Sequence, residues 1–204
     1  MVECDLVEAY FEINGFLARK NHKPGHKPTR KNMEPFPQFT VFNPKAQPTQ
    51  RELGFRLFSG DLMQVQSAEV IVLGWENTSF TNSLLNSDAK LLKFLKQEID
   101  PERLGFNDSL IDDDSLSADG LMKVMVVPAL PAGLDRMRLL EEHLRKLGLH
   151  GILTLKSILE NLFRQTLPNK LQMGGGEILH LLQMIKSYQL FRDPQGDIFD
   201  SSKI

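Results

Sequence analysis

Two short stretches are apolar at every position: Val70 to Leu73 within "SAEVIVLGW", and the core of "KVMVVPAL" ending near Pro128. A half-buried strand alternates apolar and polar residues, whereas an unbroken apolar run of this length needs cover on both faces. These runs therefore predict buried strands sandwiched between helices, a layered α/β architecture.

The intervening segments supply the helices. Leu6, Val7, Tyr10 and Phe11 recur at helical spacing between Val2 and Asn14, and Gly15 stands where the helix should stop. Leu84, Leu91, Leu92 and Leu95 predict a helix over 81–99, and Met137, Leu140, Leu144 and Leu147 one over 135–147. Ser157 followed by Glu160 reads as a capping box for a further helix, and a last one is expected over 177–190. Further strands are expected at Phe16 to Ala18, at Phe39 to Phe42 between Pro37 and Pro44, in "FRLFSGDLMQVQ", and in "HGILTL". In this order the early strands form an antiparallel meander, while the later ones, separated by helices, run parallel.

Length and charge bound the functional classes. With 204 residues the chain can bury a core without a metal or disulfide staple. A net charge of -2 gives no global pull toward nucleic acid or membrane, so such affinity must be local. Cys4 is the one cysteine, which excludes an internal disulfide and a cysteine-rich zinc site and fits a reducing compartment. The acids Glu3, Asp5 and Glu8 are wrong for a secretory signal, and no apolar run approaches a membrane span. A cytoplasmic protein without membrane contact is expected.

The local exception is the segment from Arg19 to Lys31. Arg19, Lys20, Lys23, Lys27, Arg30 and Lys31, with His22 and His26, crowd around Pro24, Gly25 and Pro28 with no acid among them. It reads as an exposed loop, either able to contact phosphates or a solvated turn whose charges keep it soluble. Other motifs carry less. Asp112, Asp113 and Asp114 lack the spacing of a calcium loop. The Gly174–Gly176 run lacks the lysine of a phosphate loop and reads as a hinge. Trp75 reads as a packing anchor. His22 and His26 have no partners to complete a zinc site, and neither Cys4 nor any serine sits in a nucleophile motif.

Together, "LVEAYFEINGFLARKN", "PQFTVFNP", "SAEVIVLGW", "KVMVVPAL" and "HGILTLKSILENL" resemble, in order and character, the core of the PD-(D/E)XK nuclease superfamily. The resemblance implies a restriction-endonuclease-like mixed β-sheet flanked by helices over 1–165, with a helical extension and tail over 166–204. It also implies a magnesium site: an acid on the second strand, another on the third, and a lysine two positions later. Those places fall on Gln38, Ile71 and Leu73, which offer no negative charge and no lysine.

The expectation is thus a non-catalytic member of this fold, without cofactor or metal, serving as a binding or assembly module that contacts nucleic acid through residues 19–31. An alternative is an active Mg²⁺-dependent nuclease that has relocated its ligands to Asp61 and Glu69, with Glu8, Lys90 or Lys93 assisting. A third reading is a protein-interaction domain using the terminal helices.

Overall fold

The computed structural model describes residues 1–21, 36–47, 53–99, 101–104, 121–131, 133–166 and 176–190. Helix α1 (Val2–Ile13) leads through Gly15, at φ +88°, into strand β1 (Leu17–Lys20). A side chain is strained at that φ, so glycine makes the tight reversal possible. Strand β2 (Gln38–Phe42) follows, then a 3-10 helix (Ser59–Gln64) and β3 (Ser67–Val72). A second 3-10 helix (Asn82–Asn86), α2 (Asp88–Glu98) and the single turn α3 (Pro101–Leu104) precede β4 (Leu121–Val127). The chain continues with α4 (Leu134–Lys146), β5 (Gly151–Thr154), α5 (Leu155–Gln165) and α6 (Gly176–Ser187).

The strands form one mixed sheet in the order β1-β2-β3-β4-β5. The first two pairings are antiparallel and the last two parallel. This is the α/β arrangement the element order predicts. Alternation along the strands divides the core in two. Phe39, Val41, Val70, Val72, Val124 and Val126 pack with α1 and α5 on one side of the sheet. On the other, Ile71, Met125, Val127 and Ile152 pack with Phe94 of α2 and Leu140 and Leu144 of α4. Val70, Ile71 and Val72 are all fully buried, so consecutive side chains on opposite faces are both covered. Each contributes about 1.5–3 kcal/mol relative to exposure.

Local details depart from the sequence expectations. Only part of "FRLFSGDLMQVQ" behaves as strand: Arg56 bridges Ile152 in parallel, with Leu57 N–H donating to the Ile152 carbonyl at 2.9 Å. The chain then turns into the 3-10 helix at Ser59. This excursion extends the sheet beyond β5, where Gly151 admits Leu57; a Cβ there would lie 2.6 Å from Leu57 Cδ1. The helix expected over 81–99 is broken at Ser87, where a 3-10 turn gives way to α2. Thr154 rather than Ser157 caps α5. Its Oγ1 accepts the Ser157 N–H at 3.0 Å, because β5 runs into the helix without a loop and places Ser157 three residues inside. The final helix starts at Gly176 and ends at Ser187, short of the expected 190. It packs on α1 and α5, and Leu179 joins their apolar cluster. Residues 101–104 form a single helical turn, and Asp112, Asp113 and Asp114 lie outside the described residues, as do Gly174 and Gly175.

Arg103 closes the α2 side. Its guanidinium pairs with Glu98, donates to the Asn77 carbonyl at 3.1 Å and stacks 4.1 Å from the Phe36 ring centre. Among the described residues, no helix is long and apolar enough to cross a membrane.

Double-sided cover predicts how stability responds to truncation. Ile71→Ala should cost about 2–5 kcal/mol in denaturant unfolding, while Leu134→Ala, at a position 78% exposed, should stay within about 0.5 kcal/mol. Similar midpoints for the two variants would contradict the packing described.

Candidate functional site

Strand register sets polar residues side by side across the sheet. Arg19 of β1 faces Thr40 of β2, Thr40 faces Glu69 of β3, and Glu69 faces Lys123 of β4. Directly opposed residues share a face, so this row lies on the α2/α4 side with Ile71 and Met125, one pleat away from the apolar cluster. Arg19 is exposed, Thr40 and Lys123 are half-buried, and Glu69 is buried. Thr40 Oγ1 donates to Asn21 Oδ1 at 3.0 Å. At the far end, His150 Nδ1 accepts the Lys123 N–H at 2.9 Å. Burial, then the charges of Lys123 and Arg145, hold the His150 imidazole below its ordinary pKa and keep that nitrogen free to accept.

The next row holds the places where the nuclease resemblance puts metal ligands. Gln38 is opposite Ile71, and both are buried. The Gln38 side-chain amide donates to the Leu104 carbonyl, while its Oε1 is enclosed without a hydrogen-bond partner. Ile71 and Leu73 pack into the cluster of Phe36, Phe80, Phe94 and Leu104. The residues present do not fit a magnesium ion. Among the described residues, Gln38, Ile71 and Leu73 offer only an uncharged amide carbonyl set beside the hydrocarbon of that cluster, whereas Mg²⁺ takes carboxylate and water oxygens.

The relocated candidates are not brought together. Glu69 shares the face of Ile71. Asp61 sits in the 3-10 helix, whose Leu62 packs into the opposite cluster, and its Oδ2 accepts the Phe58 N–H at 2.8 Å. Glu8 lies on α1 and pairs with Lys20 at 2.7 Å; Lys90 and Lys93 are exposed on α2. Among the described residues no group of three His, Cys, Asp or Glu side chains is placed to hold a metal ion.

Of the basic segment, Arg19 and Lys20 belong to β1 rather than to a loop. Charged side chains suit an edge strand, which must discourage pairing with other chains. Lys20 Nζ is held by Asp5 at 3.3 Å and Glu8 at 2.7 Å, and the Glu8 hydrogen bond foremost raises its pKa. Its charge is therefore largely compensated within the fold, which the sequence alone did not reveal. Lys23, Lys27, Arg30 and Lys31, with His22 and His26, lie outside the described residues.

Glu3 is a further residue that sequence reasoning missed. It was legible only as an acid in the first turn of α1, yet it is buried, and its Oε1 accepts the Trp75 N–H at 3.0 Å beyond the end of β3. Gly74 makes room: a Cβ there would lie 2.9 Å from that oxygen. Trp75 itself is 45% exposed and meets Phe80 edge to face, so it caps the α2-side cluster from outside rather than anchoring it from within. The Cys4 thiol is buried and pushed up to about 11, chiefly by desolvation, so little thiolate forms near neutral pH. No protein-family model matches the chain, and no curated protein and no solved structure is found similar to it.

The His150 contact makes a pH prediction. A folded-state pKa below the unfolded one stabilises the fold fully above the unfolded value, and this stability is lost as pH falls through the folded value. The His150 ring proton signal should titrate below 6.5, the ordinary value. His150→Ala should flatten part of the loss of stability as pH falls below 6.5. An ordinary titration curve would exclude the contact in solution.

Proposed function

We propose that this chain is a non-catalytic relative of the PD-(D/E)XK nuclease fold that works as a binding module in the cytoplasm, contacting nucleic acid through the basic segment 19–31. The helix, three-strand meander, helices and parallel fourth strand, in that order, are compatible with the fold. The observation that carries the non-catalytic half is the fate of Gln38, Ile71 and Leu73, which are buried among hydrocarbon where carboxylates and a lysine would have to meet a phosphate. The binding half rests on Arg19, an exposed cation on the edge strand that opens the basic segment.

The alternative of an active nuclease needs Asp61 and Glu69 to act on one phosphate from opposite faces of the sheet, so it has less support. A protein-interaction role gains some from α6 and the residue after it, where Leu181, Met184 and Tyr188 are 49%, 52% and 74% exposed. A dimer mass in sedimentation that reverts to monomer with Leu181→Glu would favour that reading.

Incubated with Mg²⁺ or Mn²⁺, the protein should leave single-stranded DNA, duplex DNA and RNA intact. Fluorescence anisotropy should show weak binding that falls with salt. Changing Arg19, Lys23, Lys27, Arg30 and Lys31 together to alanine should flatten the dependence on salt by about 0.9 log units for each phosphate that is no longer neutralised. Lys20→Ala should matter less, since its charge is already paired. Chelator-sensitive cleavage abolished by Glu69→Gln would refute the non-catalytic half, and binding indifferent to the five substitutions would refute the other.

A further inference from the structure

At the opposite edge of the sheet, where β5 gives way to α5, lies a cavity of about 360 Å³. Its lining includes Arg56, Lys156 and Arg164, the hydroxyls of Ser59 and Ser157, and one acid, Glu160. Three cations thus face one carboxylate. Glu160 is taken up by Lys156, at 3.8 Å, and neither Arg56 nor Arg164 forms an ion pair with any described acid. From these groups we infer a second binding site, independent of the nucleic-acid reading, for the phosphate group of a small phosphorylated molecule.

The placement of each side chain follows from the fold. Arg56 is fixed by the bridge that ties its segment to Ile152, and its guanidinium lies 4.9 Å from the Phe58 ring centre, stacked but with its edge N–H groups unspent on acids. Ser157, Glu160 and Arg164 recur at three- and four-residue spacing, so one stripe of α5 presents them together. Ser59 is oriented by the buried Tyr10, whose hydroxyl is 3.2 Å from Ser59 Oγ. Thr154 and Ser157 hold each other at 2.8 Å and fix the first helical turn, which contains no acid to compete for an anion.

The chemistry selects phosphate. Arginine forks match the paired oxygens of a phosphate, hydroxyls supply further donors, and a dianion suits the excess of two positive charges. The cavity is of the size used for small ligands. A duplex would need a longer track of cations, and Arg19 on β1 is five strand spacings away, roughly 24 Å.

The test titrates the full-length, isotope-labelled protein with inorganic phosphate at constant ionic strength and follows backbone amide resonances. Saturable shifts confined to 56–60 and 154–164 are expected, with none on adding equivalent chloride. Arg56→Ala with Arg164→Ala replaces exposed side chains and should weaken binding by about tenfold or more; Arg138→Ala, an exposed control on α4, should leave it unchanged. Shifts that never saturate, or an affinity untouched by the double substitution, would overturn the site. Duplex DNA binding abolished in the double variant, with no phosphate binding in the parent, would overturn the small-ligand reading in favour of nucleic acid.

Discussion

Covering β3 and β4 on both faces is the constraint from which the remaining structure follows. A strand with Val70, Ile71 and Val72 in succession cannot expose either side without surrendering several kcal/mol, so helices must lie on both. Helices α1 and α5 take one face, and α2 with α4 the other. The parallel pairings β3–β4 and β4–β5 are the consequence, because a chain that places a helix between strands returns in the same direction. The antiparallel meander of β1 and β2 then fills the remaining side of the sheet and leaves β1, with its charges, at the edge.

The same constraint governs where chemistry can occur. Polar side chains on the sheet survive near the N-terminal ends of β3 and β4, where Glu69 and Lys123 sit beside Thr40, while the row beginning at Gln38 is drawn into the α2-side core. A carboxylate placed there would have to be paired or neutralised. Gln38 meets half of this demand through Leu104 and leaves one oxygen enclosed. Two exposed arginines stand at opposite edges of the sheet, Arg19 on β1 and Arg56 beside β5, with the other strands between them.

Some of this was legible in the residues and some was not. Uninterrupted apolar runs marked the buried strands, and the Leu140 and Leu144 stripe marked α4, because both depend on periodicity within one segment. The cap of α5 was misplaced because nothing local distinguishes a serine that ends a loop from one three residues inside a helix; only the direct entry from β5 decides it. Lys20 looked like one cation among six, yet α1 folds back to set Asp5 and Glu8 against it. Glu3 looked like one of several acids unsuited to a signal segment, yet its contact with Trp75 ties the first turn of α1 to the end of the third strand.

What the sequence determined by itself is the alternation of buried strands and amphipathic helices, and the absence of acids and lysine where the nuclease resemblance calls for them. Both are properties of residue type along a short stretch. Which cations lack a described acid, which faces Asp61 and Glu69 occupy, and that Arg56 and Arg164 line one cavity were decided only by tertiary structure. Pairing of charges and convergence of side chains depend on distances between segments far apart in the chain, and those distances exist only once the sheet has fixed its register.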